Sequence, residues 1–140
     1  MSSLKIVLLS LSFSIIFSLP AQNLLNKKGN IVAIFEESGM LKDANQDTIG
    51  QFMSDGVIKD ANGDIIGSID GDNFKDMNGD IIGSINEQGE VFDVNKMKIG
   101  EIPTNTIIKN NVGKELGRAS SAIDKKRLAA YHFFFFNSII

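Results

Sequence analysis

The sequence predicts an all-β protein of tandem β-hairpin repeats, each 16–17 residues long, followed by a short helical and Phe-rich tail. Residues 73–85 nearly repeat residues 56–69. Both segments carry an Asn-Gly pair between β-branched residues, which is typical of a tight hairpin turn. After Gly117 the composition changes, and the chain continues into the run Phe133–Phe136.

The first element is a predicted secretory signal peptide, residues 1–21. Lys5 precedes the apolar run Ile6–Leu19, and Leu19-Pro20-Ala21 has the small residues of a cleavage site. The apolar run is shorter than the roughly 20 residues that span a bilayer. We therefore expect cleavage after Ala21 and an exported protein, periplasmic or extracellular, with no membrane span after cleavage.

Composition limits what the exported chain can be. The 140 residues include no Cys and carry a net charge of −3. Disulfides cannot support the fold, so one apolar core or oligomerisation must do so. Nucleic acid is not expected as a partner, because phosphate binding needs a basic surface. We assign residues 22–118 to the hairpin repeat domain and residues 119–140 to the tail.

The repeat has a common register from Asp43 to Gly100. An Asp recurs at spacings of 17, 16 and 17 residues, followed after two residues by Asn and after seven by Gly. Degenerate copies at residues 24–33 and 108–117 extend this register to five or six phases. The turn and structural repeat positions are Asp43, Asn45, Gly50, Asp60, Asn62, Gly63, Gly67, Asp76, Asn78, Gly79, Gly83, Asp93, Asn95 and Gly100.

The turns predict the pairing within each hairpin. Asn62-Gly63 favours a type I′ turn with positive φ at both residues. Asn45-Gln46 and Asn95-Lys96 lack this Gly, so those turns should be strained or longer. A type I′ turn places Lys59 opposite Ile66 and Ile58 opposite Gly67.

Each unit then has a large apolar residue beside a Gly on one face. Since Gly weakens a strand, its recurrence predicts that strands crowd towards a common axis or that a large side chain lies over each Gly. The second face carries the recurring residues Ile49, Ile66, Ile82 and Ile99. We expect a neighbouring hairpin, the tail or another chain to cover that face.

The tail should begin with a capping-box-like segment, Ser121–Asp124, and continue as a helix over residues 125–131. An exposed run of four Phe would promote aggregation. We expect the tail to pack on the repeats as part of their core, with an interaction tail or oligomer contact as the alternative.

The signal peptide, the repeat Ile58–Ile69 and the tail segment Ala129–Phe136 together resemble the β-flower domain proteins of Bacteroidetes-type bacteria. The resemblance covers residues 22 to about 136 and is nearest to the four-fold form, with the five-fold form as an alternative. It implies a closed, pseudo-symmetric ring of hairpins. The family carries no activity that transfers to individual residues of this chain.

The turn acids do not match a calcium site. Asp60, Asn62 and Asp64 resemble the start of an EF-hand loop, but the Gly stands at loop position 4 instead of 6, and Gly71 replaces the acid at position 12. Asp and Asn are explained by turn chemistry. We predict no metal site and no cofactor.

Catalytic groups are sparse. The chain has no Cys, and its one His, His132, lies beside the Phe run, where packing is the simpler explanation. We expect a non-catalytic binding or structural module of the cell envelope, for which glycan or protein partners and a homo-oligomer remain open. The alternative is a hydrolase of envelope polymers, which would need two Asp or Glu side chains about 5–10 Å apart in a cleft.

Overall fold

The structure, a computed structural model, describes residues 21–136. The predicted signal peptide up to Pro20 and tail residues 137–140 lie outside the described residues. The described chain forms a closed antiparallel barrel of twelve strands, followed by a helical segment. Its strands are β1 (Gln22–Asn26), β2 (Ile31–Phe35), β3 (Met40–Lys42), β4 (Thr48–Phe52), β5 (Val57–Asp60), β6 (Ile65–Asp70), β7 (Asn73–Asp76), β8 (Ile81–Ile85), β9 (Glu90–Asp93), β10 (Lys98–Thr104), β11 (Ile107–Asn110) and β12 (Glu115–Ala119).

Consecutive strands pair as hairpins, so β1–β2 is hairpin 1 and β11–β12 is hairpin 6. Each hairpin also pairs with the next, and β1 pairs with β12 through Leu24 opposite Ala119, which closes the ring. Closure leaves no unpaired strand edge for aggregation. The predicted fold class is confirmed, and both degenerate copies form complete hairpins.

The hairpin turns differ from the type I′ prediction. In hairpin 3 the Gly63 amide donates to the Asp60 carbonyl (3.1 Å) and the Asp60 amide to the Asp64 carbonyl (2.9 Å). Positive φ occurs at Gly63 (84°) and not at Asn62. This is a three-residue hairpin loop, a type I turn followed by a left-handed bulge residue. The prediction was wrong because Asn62 does not take the positive φ that a type I′ turn requires.

The two turns without Gly have the same length as the others. Gln46 and Lys96 take the place of Gly63 with φ of 71° and 66°, and the Gln46 amide still donates to the Asp43 carbonyl (3.1 Å). They are therefore strained and not longer. Left-handed backbone costs an L-residue about 1–2 kcal/mol.

The strand register contains one extra residue per hairpin. Ile58 lies opposite Gly67 as predicted, but Lys59 lies opposite Ile65, so Ile66 is the extra residue of a β-bulge. Ile66 and its equivalents pack, partly buried, against the core cluster. Of the three predicted covers for this face, a neighbouring hairpin, the tail or another chain, the structure shows packing within the chain, because the bulge brings these side chains to its own core.

The core fills the inside of the barrel. Each hairpin contributes a large apolar residue from its first strand, a small residue, and in most hairpins a second large residue two positions later. In hairpin 4 these are Phe74, Gly83 and Ile85. The largest fully buried strand residues are Phe74, Leu24, Leu41, Ile58, Ile102, Ile108 and Val91.

The tail enters this core as helix α1 (Lys125–Ala129), followed directly by a π-helical segment, Ala130–Phe135. The helix N-cap is Asp124, whose carboxylate accepts the Lys126 amide (3.2 Å), and not Ser121. Leu128–Tyr131 is fully buried. Among residues 21–136, no helix is both long and apolar enough to cross a membrane.

Candidate functional site: the filled barrel and its two ends

Six consecutive residues, Tyr131–Phe136, form what we call the aromatic plug. The four Phe side chains lie over the recurring glycines, one Gly per hairpin. The pairs are Phe136 with Gly50, Phe135 with Gly67, Phe134 with Gly83 and Phe133 with Gly100. A Cβ on any of these glycines would overlap the ring above it and a neighbouring backbone carbonyl. Of the two explanations for the glycines, a large side chain over each one is what the structure shows.

The π-helical winding brings the plug closer than an α-helix would to the angular spacing of the ring. An α-helix turns 100° per residue, whereas adjacent hairpins in a ring of six are a sixth of a circle apart. A π-helix bonds i to i+5 and rotates less per residue. Here the Phe136 amide donates to the Tyr131 carbonyl (3.1 Å), and the two rings stack 5.8 Å apart. The looser winding lets consecutive Phe residues reach consecutive hairpins.

His132 is the polar member of the plug. It is 6% exposed, and its Nδ1 is buried without a hydrogen-bond partner among the described residues. Its ring meets Phe133 edge-on at 4.6 Å. Burial lowers the pKa of His132 to about 4, because the charged imidazolium loses its hydration. The side chain is therefore neutral at pH 7.

The turn acids are engaged by their own backbone. The Asp60 carboxylate accepts the amides of Asn62 (2.9 Å) and Asp64 (3.0 Å). The equivalent acceptors are Asp43, Asp76, Asp93, and the amide oxygens of Asn26 and Asn110. Within residues 21–136, no three His, Asp or Glu side chains are grouped as metal ligands.

The barrel has two different ends. The hairpin turns lie at the turn end, and the loops between hairpins lie at the connector end, where α1 begins. Ile123 donates its amide to the Asn105 carbonyl in the last connector (2.9 Å), and Lys126 pairs with Asp72 in another (3.3 Å). The predicted turn and repeat positions thus lie at the turn end and around the lumen, away from the connector end.

Two clefts flank α1 at the connector end. The first has a volume of about 260 Å³ and is lined by Phe52, Asp55 and Arg127 among others. The Arg127 guanidinium lies 5.7 Å from the centre of the Phe52 ring, a cation–π contact. The second, about 310 Å³, is lined by Asp72, Glu87, Asn105, Asp124, Lys125 and Lys126 among others.

Charged neighbours on the barrel wall shift nearby pKa values. The hydrogen bond from Lys75 (2.6 Å) holds the pKa of Asp70 below its ordinary value. Hydrogen bonds from Asn86 and then Lys98 lower the pKa of Glu90. At the turn end the contact with Lys114 lowers the pKa of Lys27, because a nearby positive charge disfavours the protonated form of Lys27.

Sequence reasoning did not pair the Phe run with the glycines. The sequence contains one clue to this pairing: the number of consecutive Phe residues, four, equals the number of clear repeats that contain this Gly. It also did not assign Phe52 and Arg127 to one cleft, because 75 positions of sequence separate them and only the closed ring brings them together.

These features define a class, a closed barrel of repeated β-hairpins that is filled by its own C-terminal segment. The chain belongs to the family described as 5-fold beta-flower protein, whose model matches residues 21–137. The predicted resemblance to the β-flower family is thereby confirmed, in its five-fold and not its four-fold form, while the described barrel has six hairpins. No curated protein and no solved structure matched the chain significantly.

Proposed function

We propose that this chain is an exported, non-catalytic binding module of the cell envelope, whose ligand docks at the connector end in the clefts beside α1. One observation carries the proposal. The lumen, where a small β-barrel would hold a ligand, is occupied by the chain's own aromatic plug. Binding is thereby directed to the ends of the barrel, where loops stand on a rigid scaffold.

The chemistry of the clefts favours a polar ligand with an apolar face, such as a glycan or a peptidoglycan fragment. Phe52 is 3% exposed and its ring lies under Arg127. The first cleft therefore offers the guanidinium beside the half-buried apolar side chains of Met53 and Ile69. Asp55, Asp124 and Lys126 add hydrogen-bond acceptors and a donor around them. Apolar sites with a few placed polar groups are the usual form of a ligand pocket.

The test is calorimetric titration of the purified protein with soluble peptidoglycan fragments and with a panel of neutral and acidic glycans. We expect a ligand whose affinity falls at least tenfold in Arg127→Ala. Arg118→Ala is the matched control, because Arg118 pairs with Glu115 on the outer wall (2.6 Å) and should leave binding unchanged. No binding across the panel, or equal loss in both variants, would count against the proposal.

A hydrolase is the second candidate, favoured by the carboxylates Asp72, Glu87 and Asp124 that line the second cleft. A pair of carboxylates flanking a scissile bond is what glycoside hydrolysis requires. Incubation with peptidoglycan and glycan polymers, followed by detection of new reducing ends, distinguishes a hydrolase from a binding module. We expect no turnover; turnover that disappears in Glu87→Gln would replace the binding module with the hydrolase.

A further inference from the structure

We propose that the turn end of the barrel is an interface for a second copy of this chain, joined face to face about a two-fold axis. The proposal concerns the end opposite the connector clefts and does not rest on their function. The six turns are numbered by hairpin: turn 1 (26–31), turn 2 (43–48), turn 3 (60–65), turn 4 (76–81), turn 5 (93–98) and turn 6 (110–115).

Exposed apolar side chains are concentrated on these turns. Every large apolar residue that is highly exposed within residues 21–136 lies in one of the six turn segments. Val112 is 80% exposed and Met77 71%; apolar residues scattered singly would need no explanation, but their concentration at one end of the barrel is typical of an interaction surface. The full set is Ile31, Ile65, Met77, Ile81, Val94, Met97 and Val112.

Charge divides the same face into two halves. Turns 2, 3 and 4 contain six Asp residues and neither Lys nor Arg. Turns 5, 6 and 1 contain five lysines, of which Lys27, Lys28, Lys96 and Lys114 are exposed, against two acids, the half-buried Asp93 and Glu115, so this half is basic on balance. Lys27 and Lys114 approach each other closely enough to lower the pKa of Lys27, even though Glu115 lies near enough to act in the opposite direction.

A face with one acidic and one basic half is complementary to itself. When two such faces meet about an axis that passes between turns 1 and 2 and between turns 4 and 5, each turn meets one partner turn. Turn 1 meets turn 2 of the second copy, turn 3 meets turn 6, and turn 4 meets turn 5. Each of the three acidic turns then faces a turn of the second copy that carries at least one exposed lysine, in an isologous two-fold arrangement.

The same axis also brings apolar residues together. Ile65 of turn 3 meets Val112 of turn 6 in the second copy, and Met77 of turn 4 meets Val94 and Met97 of turn 5. Apolar contacts supply affinity and the charges supply register. A lipid surface would match the apolar residues but would be repelled by the acidic half if anionic, so a second copy is the better fit.

The first test is a charge swap measured by sedimentation equilibrium of the purified protein. One variant is Asp64→Lys with Asp80→Lys, and the other is Lys96→Glu with Lys114→Glu. These aspartates were chosen because their carboxylates accept none of the turn hydrogen bonds, which go to Asp60 and Asp76.

The unsubstituted protein should dimerise, and raising the salt concentration from 0.1 to about 0.5 M should weaken the dimer because exposed charges are screened. Each charge variant alone should dissociate at least tenfold more readily. An equimolar mixture of the two should restore dimers, since every reversed turn then meets a reversed partner. Glu37→Lys, at the connector end, is the control and should leave the dimer unchanged.

The second test uses the absence of Cys from the chain. Ile65→Cys and Val112→Cys chains, when mixed and oxidised, should form a mixed disulfide, whereas either chain alone should crosslink poorly with itself. Each of these chains carries a single Cys, so any disulfide must join two chains. A monomer at every concentration would overturn the proposal, as would failure of the mixture to restore dimers.

Discussion

At the scale of single residues, the hairpin turns are determined by the backbone conformations that their residues can adopt. The bulge position after each turn requires positive φ. Gly63 adopts this conformation without steric cost, whereas Gln46 and Lys96 adopt it with strain. Asp or Asn at the first turn position then holds the loop with two hydrogen bonds from backbone amides. The short repeat Asp-x-Asn-Gly therefore encodes a turn and its bulge without any ligand.

Gln46→Gly and Lys96→Gly should each stabilise the protein by about 0.5–1 kcal/mol. Relief of left-handed strain exceeds the added entropy of the unfolded chain. Urea denaturation followed by circular dichroism measures the change. Asn45→Gly is the matched control, because Asn45 has negative φ and should lose stability; a gain there equal to that of Gln46→Gly would contradict the explanation.

Protonation of His132 should destabilise the protein in acid. Its folded-state pKa, about 4, lies below the ordinary value of 6.5, so the unfolded chain takes up the proton first. Stability is full above about pH 7, falls as the pH drops through 6.5, and the loss from this group is complete near pH 4. Its size is about 3 kcal/mol, from 1.36 kcal/mol per pKa unit.

Thermal melts of the unsubstituted protein and His132→Gln between pH 4 and 7.5 measure this contribution. Gln is uncharged throughout, so the difference between the two proteins should change with pH in the stated window. Parallel pH curves would show that His132 is not the group responsible.

At the scale of elements, the plug and the glycines form one packing unit. Phe134 stacks 4.6 Å from Phe74 and lies over Gly83, so a single ring contacts two strands of hairpin 4. The bulge residues Ile49, Ile66, Ile82 and Ile99 pack beside this unit. The helix widens to a π-helix where it must follow the spacing of the hairpins.

Gly83→Ala should destabilise the protein by about 2–3 kcal/mol, because the new Cβ overlaps Phe134 and the Phe92 carbonyl. Phe134→Leu should cost less alone and should relieve part of the overlap, so the double variant should lose less than the two single losses together. Gly63→Ala is the control, with open space around its Cβ and only backbone strain. If the two losses of stability simply add in the double variant, Phe134 is not the side chain that the new Cβ at position 83 overlaps.

The whole molecule depends on closure. Leu24 in β1 lies fully buried opposite Ala119 in β12, at the point where the ring closes. An open array of repeats can lose its terminal repeats first, since each repeat contacts only its neighbours. A closed ring with a shared central plug has no terminal repeat, so it should unfold as one unit.

Leu24→Ala should cost about 2–5 kcal/mol and should lower hydrogen-exchange protection in every hairpin, including hairpin 4 on the far side. Leu25→Ala is the matched control, because Leu25 is only partly buried and should change little. Loss of protection confined to hairpins 1 and 6 would indicate an array that frays from its ends instead of a cooperative ring.

Much of this fold was predictable from the sequence because its determinants are local. Repeat spacing located the turns, and the degenerate copies at residues 24–33 and 108–117 were found by extending the register. The type I′ prediction failed because Asn62-Gly63 also suits a type I turn with a bulge, and only the observed φ values distinguish them. The connector clefts were not predictable, since Phe52 and Arg127 meet only after the ring has closed.

The sequence by itself determined the hairpins, their order and the alternation of large and small residues on one face. These depend on hydrogen bonds and steric limits within about a dozen neighbouring residues. The tertiary structure decided the closure of six hairpins, the placement of each Phe of the plug over one Gly, and the division of the turn end into acidic and basic halves. These features depend on contacts between residues far apart in the chain, which local propensity does not specify.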